Sequence, residues 1–410
     1  GYVREFVDVP APAVDEASLR RLRVMASRGM GASLGPIPGP VHLNFPFDKP
    51  LEPDVSDWAP PRSAGEISPT RWATAGSPGA EDLIGQLAAT LDRALTGPGE
   101  GGLLVVAGPG PIPDVEALPA LVQSLGGVLL PDPLSGARYL RHEGEAIVTH
   151  YDPILRDPGL RNSLRPSVVI RLGGVPTSAS LLAALESWAG VPQIVLKPDL
   201  RLQDHLGTAS ESHPVDGLDV ISRLPKRDPN QHCALWRKVE VAARAAATAR
   251  PDSFLEGWAA RPVVGEAAEG TVAFVSSSMP IRDLDAFAGP SMHPIQALGN
   301  RGASGIDGVV STALGAALAG DAPMVCLIGD LAFLHDNNGL LFAREIRLPA
   351  VFVVVENDGG GIFHRLPIAR FEPEFTEYFV TPHGLDLEHL AALHGIPFQR
   401  VASAAEVRPA

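Results

Sequence analysis

Short, almost wholly apolar runs recur along this chain, each next to a segment with helical periodicity, and that alternation limits the fold more than any other feature. Leu103–Ala107, Val128–Leu130, Val168–Leu172, Gln193–Leu196, Val272–Val275, Met324–Ile328 and Val351–Val355 are dominated by Val, Leu, Ile and other apolar residues. The region His293–Ala297 reads as a further strand. Between these runs lie amphipathic segments: Glu81–Leu95, Asp114–Leu125, Ser178–Ala189, Val309–Ala319 and Asn337–Ile346. A strand with no polar face needs cover on both sides, and helices that alternate with strands supply it. The expected fold is α/β, with doubly wound parallel sheets in successive domains.

At 410 residues the chain exceeds one compact core, so several domains are expected. Residues 1–48 hold a helix (Asp15–Met30) and a strand (Val41–Phe45) with no sheet to join. They read as the tail of a domain whose earlier part is absent. Residues 49–80, rich in Pro, Ser, Trp and Ala without periodicity, read as a linker. Residues 81–225 form a central Rossmann-like domain, and 226–265 a helical connection that includes Ala234–Ala247. Residues 266–410 form a second α/β domain that looks incomplete, since little follows 351–365 to make a closing helix and edge strand.

Composition excludes some functions. A net charge of −14 argues against nucleic acid as a partner, because binding a phosphate backbone needs clustered Lys and Arg. No apolar run reaches the roughly 18–20 residues of a membrane span, and the first residues are not a signal peptide. Cys233 and Cys326 are the only cysteines; they read as buried free thiols of a cytoplasmic protein. Gly108-Pro109-Gly110 lacks the spacing of a dinucleotide fingerprint.

Chemistry concentrates at two strand ends. Asp330 follows the run Val325–Gly329, and Asn357 follows Val351–Glu356, 27 positions later. A strand–helix–strand unit brings both to the carboxyl ends of neighbouring parallel strands, where open α/β sheets bind ligands. A carboxylate, an amide oxygen and a backbone carbonyl from the glycine run 359–361 are the hard oxygen donors Mg²⁺ takes, the rest coming from water and phosphate. The same two residues also serve as helix cap and turn residue in ordinary folds.

Gly329-Asp330-Leu331-Ala332 through Leu341, with Asn357-Asp358-Gly359-Gly360-Gly361-Ile362-Phe363, resembles the cofactor motif of thiamine-diphosphate enzymes. It is most similar to the SEPHCHC synthase family of menaquinone biosynthesis. Asn300–Gly308, Gly39–Phe47, His150-Tyr151-Asp152 and Arg171-Leu172-Gly173 carry the same resemblance along the chain. Leu331 stands where most other relatives have glycine, which favours the menaquinone branch.

The resemblance implies a thiamine-diphosphate-binding fold and a reaction. 2-Oxoglutarate is decarboxylated on thiamine diphosphate, and the resulting carbanion adds to isochorismate, giving SEPHCHC and carbon dioxide. It implies that Asp330, Asn357 and the carbonyl of Gly359 hold Mg²⁺ (or Mn²⁺), with Gly329, Leu331 and Ala332 beside the cofactor and Ile306 propping its bent form. Ser278, Arg282, Arg301 and Phe363 would meet the substrates; Arg suits carboxylates because its fork binds them bidentately. The family assembles as a homodimer or homotetramer, and its activating glutamate lies in the pyrimidine-binding domain. Neither Glu5 nor Glu16 matches that glutamate, so the segment as given is expected to be inactive alone. His42, His150, His335 and His364 have no partner spacing that marks them as acid–base groups; only His335 falls near the site. Two alternatives stay open: another thiamine-diphosphate carboligase or decarboxylase, and a cofactor-binding fragment without chemistry, including a flavin nucleotide in the central domain.

Overall fold

A computed structural model describes residues 3–10, 15–34, 39–46, 71–72, 80–96, 101–141, 146–197, 204–248, 256–343, 349–402 and 406. Twelve strands are labelled in chain order: β1 Glu5–Asp8, β2 Val41–Asn44, β3 Arg71–Trp72, β4 Leu103–Ala107, β5 Val128–Pro131, β6 Val168–Leu172, β7 Gln193–Leu196, β8 Glu211–His213, β9 Val272–Val275, β10 Gln296–Leu298, β11 Met324–Gly329 and β12 Ala350–Val355. The chain divides into two compact units. One comprises 1–130, 144–147 and 155–237; the other comprises 131–143, 148–154 and 238–410. The boundaries therefore differ from a simple cut near residue 225, because two segments inside the central stretch pack with the C-terminal unit.

The first unit contains a six-stranded sheet in the order β3-β8-β7-β6-β4-β5. Strands β4 to β7 are buried at every residue, as sequences without a polar face require. Strand β3 lies within the stretch read as linker and pairs with β8; residues 49–70 and 73–79 lie outside the described residues. Strand β2 is paired after all: it lies parallel to β1 from Glu5↔Val41 to Asp8↔Asn44. A four-residue strand with two acids gives little apolar signal, which hides it in the sequence.

The second unit is a four-stranded parallel sheet in the order β10-β9-β11-β12. Its side chains sort by the two-residue period of a strand. Val272, Phe274, Met324, Cys326 and Ile328 face the helix Val309–Gly320 through its Val309, Val310, Ala313, Leu314 and Ala317. Val275, Leu327 and Ala297 face the opposite way, onto Ala260, Val263, Ile281 and Leu284. Burial pushes the Cys326 thiol well above its usual range, so it is an inert core thiol. A closing helix, Leu387–His394, does follow β12; its Leu387 enters the same core. The segment read as the helix Asn337–Ile346 is instead a 3₁₀ turn, Asn337–Gly339, followed by Leu340–Ala343, with 344–348 outside the described residues.

The 131–154 segments anchor the helix Met279–Phe287. Arg138, fully buried, donates to Asp285 Oδ1 (2.6 Å) and to the carbonyls of Asp285, Ala288 and Thr149 at 2.8–2.9 Å. Tyr151 adds a hydrogen bond to Asp285 Oδ1 at 2.7 Å. A guanidinium on the last carbonyls of a helix satisfies groups that have no partner within the helix. The far end of this helix carries Ser278 and Arg282.

Candidate functional site

In the four-stranded sheet the chain passes from β9 outward to β10, then crosses back to add β11 and β12 on the other side. The order therefore reverses between β9 and β11, and ligands of open α/β sheets bind at the carboxyl ends beside such a reversal. Each of the four strands delivers one residue singled out by the sequence to that edge. Ser278 follows β9, Arg301 follows β10, Asp330 follows β11 directly, and Asn357 follows β12.

Asp330, 2% exposed, is held as an ionisable acceptor by backbone amides. Its Oδ1 accepts from Leu331 N at 2.6 Å, and its Oδ2 from Asn357 N and Gly359 N, both at 3.0 Å. These bonds tie the two strand ends into one unit. Asn357 donates its Nδ2 to Glu256 Oε2 at 3.0 Å, and this fixes the amide so that Oδ1 points elsewhere. That Oδ1 is buried and has no hydrogen-bond partner. An orphaned buried acceptor costs about 1–3 kcal/mol, and a hard cation beside it would remove the penalty. Among the described residues no group of three or more His, Cys, Asp or Glu could hold a metal. A carboxylate and an unpartnered amide oxygen, both of the hard type Mg²⁺ takes, thus stand at neighbouring strand ends.

The glycine run is set by close approach. Gly359 has φ 140°, and a Cβ there would lie 2.2 Å from the Val380 carbonyl. The 376–384 segment presses on the loop and is clasped by Asp358, whose Oδ1 accepts from His383 N and Gly384 N. His383 Nε2 lies 3.4 Å from Asp330 Oδ2. Three non-glycine residues of this unit with positive φ stand around the edge: Ser278 (72°), Ser304 (58°) and Asp358 (59°). Backbone strain of this kind gathers at functional sites.

Ser278 occupies the N-cap position of Met279–Phe287, yet its side chain makes no capping hydrogen bond. Arg282 donates to the Ser278 carbonyl one turn back. Its pKa is lowered, first by burial and then by the charges of Arg301 and Arg365. Ile306, partly buried, packs on the core between the bends at Ser304 and Gly308. Phe363 sits edge-on to Phe379, with ring centres 5.7 Å apart. Leu331 offers its amide to Asp330, whereas Ala332 is buried in the core, so any ligand contact there falls to its backbone. Gly329 precedes Asp330 in extended conformation.

The histidines divide differently from their sequence positions. His335 is exposed at the end of the helix Asp330–His335. His364 packs edge-on to Phe375, and His42 to Phe6. His150 is buried, with Nδ1 2.9 Å from Glu240 Oε1. The histidine that meets the Asp330 carboxylate is His383, which no motif marks. Glu256 and Arg365 are likewise absent from the sequence reading. Glu256 has no local signal, but Arg365, two residues past Phe363, lay within reach of it.

Comparison with known proteins places the chain in a class. Residues 289–410 match the family model described as "Thiamine pyrophosphate enzyme, C-terminal TPP binding domain", so the second unit is a thiamine-diphosphate enzyme domain. Over nearly its whole length the chain is also similar to proteins named 2-succinyl-5-enolpyruvyl-6-hydroxy-3-cyclohexene-1-carboxylate synthase. It is 40% identical to the one from Halorubrum lacusprofundi, covering 97% of this chain and 69% of the relative. It is 40% identical to that of Halobacterium salinarum (100% and 71%) and 38% identical to that of Chloroflexus aurantiacus (96% and 67%). The chain belongs to the 2-succinyl-5-enolpyruvyl-6-hydroxy-3-cyclohexene-1-carboxylate (SEPHCHC) synthase family.

Proposed function

We propose that this protein forms SEPHCHC in menaquinone biosynthesis, by thiamine-diphosphate-dependent decarboxylation of 2-oxoglutarate and addition of the resulting carbanion to isochorismate. The observation that carries the reading is that Asp330, at one strand end, accepts from the backbone amide of Asn357 at the next, while the side-chain Oδ1 of that asparagine is buried and unpartnered. Asp330, Asn357 and the Gly359 carbonyl would hold Mg²⁺ or Mn²⁺, and the metal would neutralise the cofactor's diphosphate. When bound, the cofactor supplies the electron sink that lets a 2-oxo acid lose carbon dioxide.

The chain's own residues do the rest. Glu256 orients the Asn357 amide, and the backbone amides of Asn357 and Gly359 keep the Asp330 carboxylate in place. Ile306 would support the cofactor as a stiff side chain, since its β-branch allows few rotamers. Ser278, Arg282 and Arg301 bind substrate carboxylates, and Phe363 lines the pocket. Self-association as a homodimer or homotetramer, in the cytoplasm, belongs to the same reading. Leu318, Leu341 and Phe342, at 57%, 61% and 66% exposure, offer apolar surface for it. No described helix is long and apolar enough to cross a membrane.

Calorimetry on the full-length protein tests the assignment. Thiamine diphosphate binds only with Mg²⁺ present, and Asp330→Ala weakens that binding at least about 100-fold, as loss of a buried charged ligand requires. Binding untouched by Asp330→Ala, or no release of carbon dioxide from 2-oxoglutarate by the wild type, would overturn the reading.

A further inference from the structure

Three arginines converge on the first turn of the helix Met279–Phe287, and the sequence motifs single out only two of them. Arg282 bonds back to the Ser278 carbonyl. Ser277 Oγ donates to the Asn300 carbonyl at 3.0 Å, which pins Arg301 beside the same turn. Arg365 Nη1 lies 3.6 Å from Sδ of Met279, the residue after Ser278. Seven other arginines, Arg20, Arg28, Arg138, Arg171, Arg227, Arg244 and Arg400, have a carboxylate partner within 4.0 Å. Among the described residues no ion pair includes Arg282, Arg301 or Arg365. In a protein with 47 acidic and 33 basic residues, three neighbouring guanidinium groups with no carboxylate bridging them within 4.0 Å, among the described residues, form a local field that favours a polyanion.

Arg365 is also well placed to be rigid at its base. It ends the 3₁₀ turn Gly361–Arg365, which follows the glycine loop and carries Phe363. Phe363 on Phe379 and His364 on Phe375 hold that turn. The compound named for the relatives contains three carboxylates: one in the succinyl group, one in the enolpyruvyl group and one on the ring. We propose that Arg365 is a third carboxylate-binding residue, and that with Arg282 and Arg301 it selects a tricarboxylate assembly over mono- and dicarboxylates. This rests on the function proposed above and adds a residue to it.

Two measurements test it on the full-length protein. In steady-state kinetics with Mg²⁺ and thiamine diphosphate, Arg365→Leu raises the KM of one of the two substrates about 10- to 100-fold, the range of a lost charge-assisted hydrogen bond. The value of kcat stays within about threefold, and Arg365→Lys restores part of the affinity. In equilibrium titration with propane-1,2,3-tricarboxylate in metal-free buffer, Arg365→Leu weakens binding about tenfold, and added salt weakens the wild type. If both KM values stay within about twofold in Arg365→Leu while Arg301→Ala raises one, the Arg365 assignment falls and the proposed function stands. A wild type that does not bind the tricarboxylate also overturns the cluster. A wild type that binds it but releases no carbon dioxide from 2-oxoglutarate overturns the function and leaves the anion site.

Discussion

The two larger sheets are wound alike and finished differently. From β4 in one and β9 in the other, the next strand pairs on one side of the first and later strands on the other. The order therefore reverses between β4 and β6 in one sheet and between β9 and β11 in the other. At the first reversal the strand ends close on each other: Gly108 N donates to Leu172 O at 2.8 Å, and Gly174 N to Pro109 O at 2.7 Å. A Cβ on Gly108 would stand 1.8 Å from the Gly174 carbonyl. At the second reversal Ser276 N likewise donates to Leu327 O, at 2.9 Å. Beyond that bond the strand ends of this sheet carry an unpartnered amide oxygen, arginines without an ion pair and serines with positive φ. The same winding yields a filled crevice when glycine turns satisfy each other, and a binding crevice when side chains are left to be satisfied from outside.

If that contrast is right, damage to the first sheet should cost stability and leave binding alone. Trp188, 1% exposed, is one of its largest buried side chains, and its Nε1 donates to Arg161 O at 3.0 Å. Trp188→Ala should destabilise by about 3–5 kcal/mol in urea unfolding. Cofactor affinity, measured by calorimetry well below the unfolding midpoint, should be unchanged. A tenfold weaker cofactor affinity would break the comparison.

The Arg138–Asp285 pair asks whether the open site depends on a buried support. Burial pushes the Asp285 carboxyl up to about 7 despite the pull of Arg138. A carboxyl whose folded value stands above its unfolded value of about 3.9 favours folding below that value, and the benefit fades as pH rises through about 7. Arg138→Met removes the compensating charge. The variant should therefore lose about 3 kcal/mol at pH 8 and less at pH 5, where Asp285 can take up a proton. Equal losses at the two pH values would show that Arg138 acts through packing and its carbonyl contacts alone.

Gly359→Ala tests the loop itself. The φ of 140° and the contact with Val380 O leave no room for a methyl group. About 2 kcal/mol of local strain is expected, with cofactor binding weakened about tenfold as the amide moves off Asp330. Intact affinity would mean that the amide of Asn357 alone positions the carboxylate.

How much of this could be read in advance follows the same division. The apolar runs gave the inner strands of both sheets, because a strand buried on two faces announces itself in composition, but not the short polar strands β3 and β8. Asp330 and Asn357 were legible because each directly follows such a run. What holds them was not: Glu256 reaches Asn357 across 101 positions and His383 reaches Asp330 across 53, and no periodicity links residues so far apart. Strand β1 and the helix Leu387–His394 were missed for a simpler reason. Each has few buried side chains and thus a weak pattern.

The smallest expected effect is the most pointed comparison of the two reversals. Gly108 is a glycine because a neighbouring carbonyl leaves no space, whereas Ser278 holds a glycine-type conformation (φ 72°, ψ −134°) while keeping its side chain. Such a conformation costs a non-glycine residue about 1–3 kcal/mol, and glycine carries about 0.5–1 kcal/mol of extra chain entropy. Ser278→Gly should therefore leave stability unchanged or raise it by about 1 kcal/mol in urea unfolding. If the hydroxyl meets a substrate carboxylate, the same variant raises a KM severalfold, since one neutral donor contributes about 1 kcal/mol. Stability gained together with affinity lost is the mark of a residue kept for a ligand at the expense of the fold. A loss of 2 kcal/mol or more, with KM unchanged, would instead make Ser278 a structural residue like its counterpart at the closed reversal.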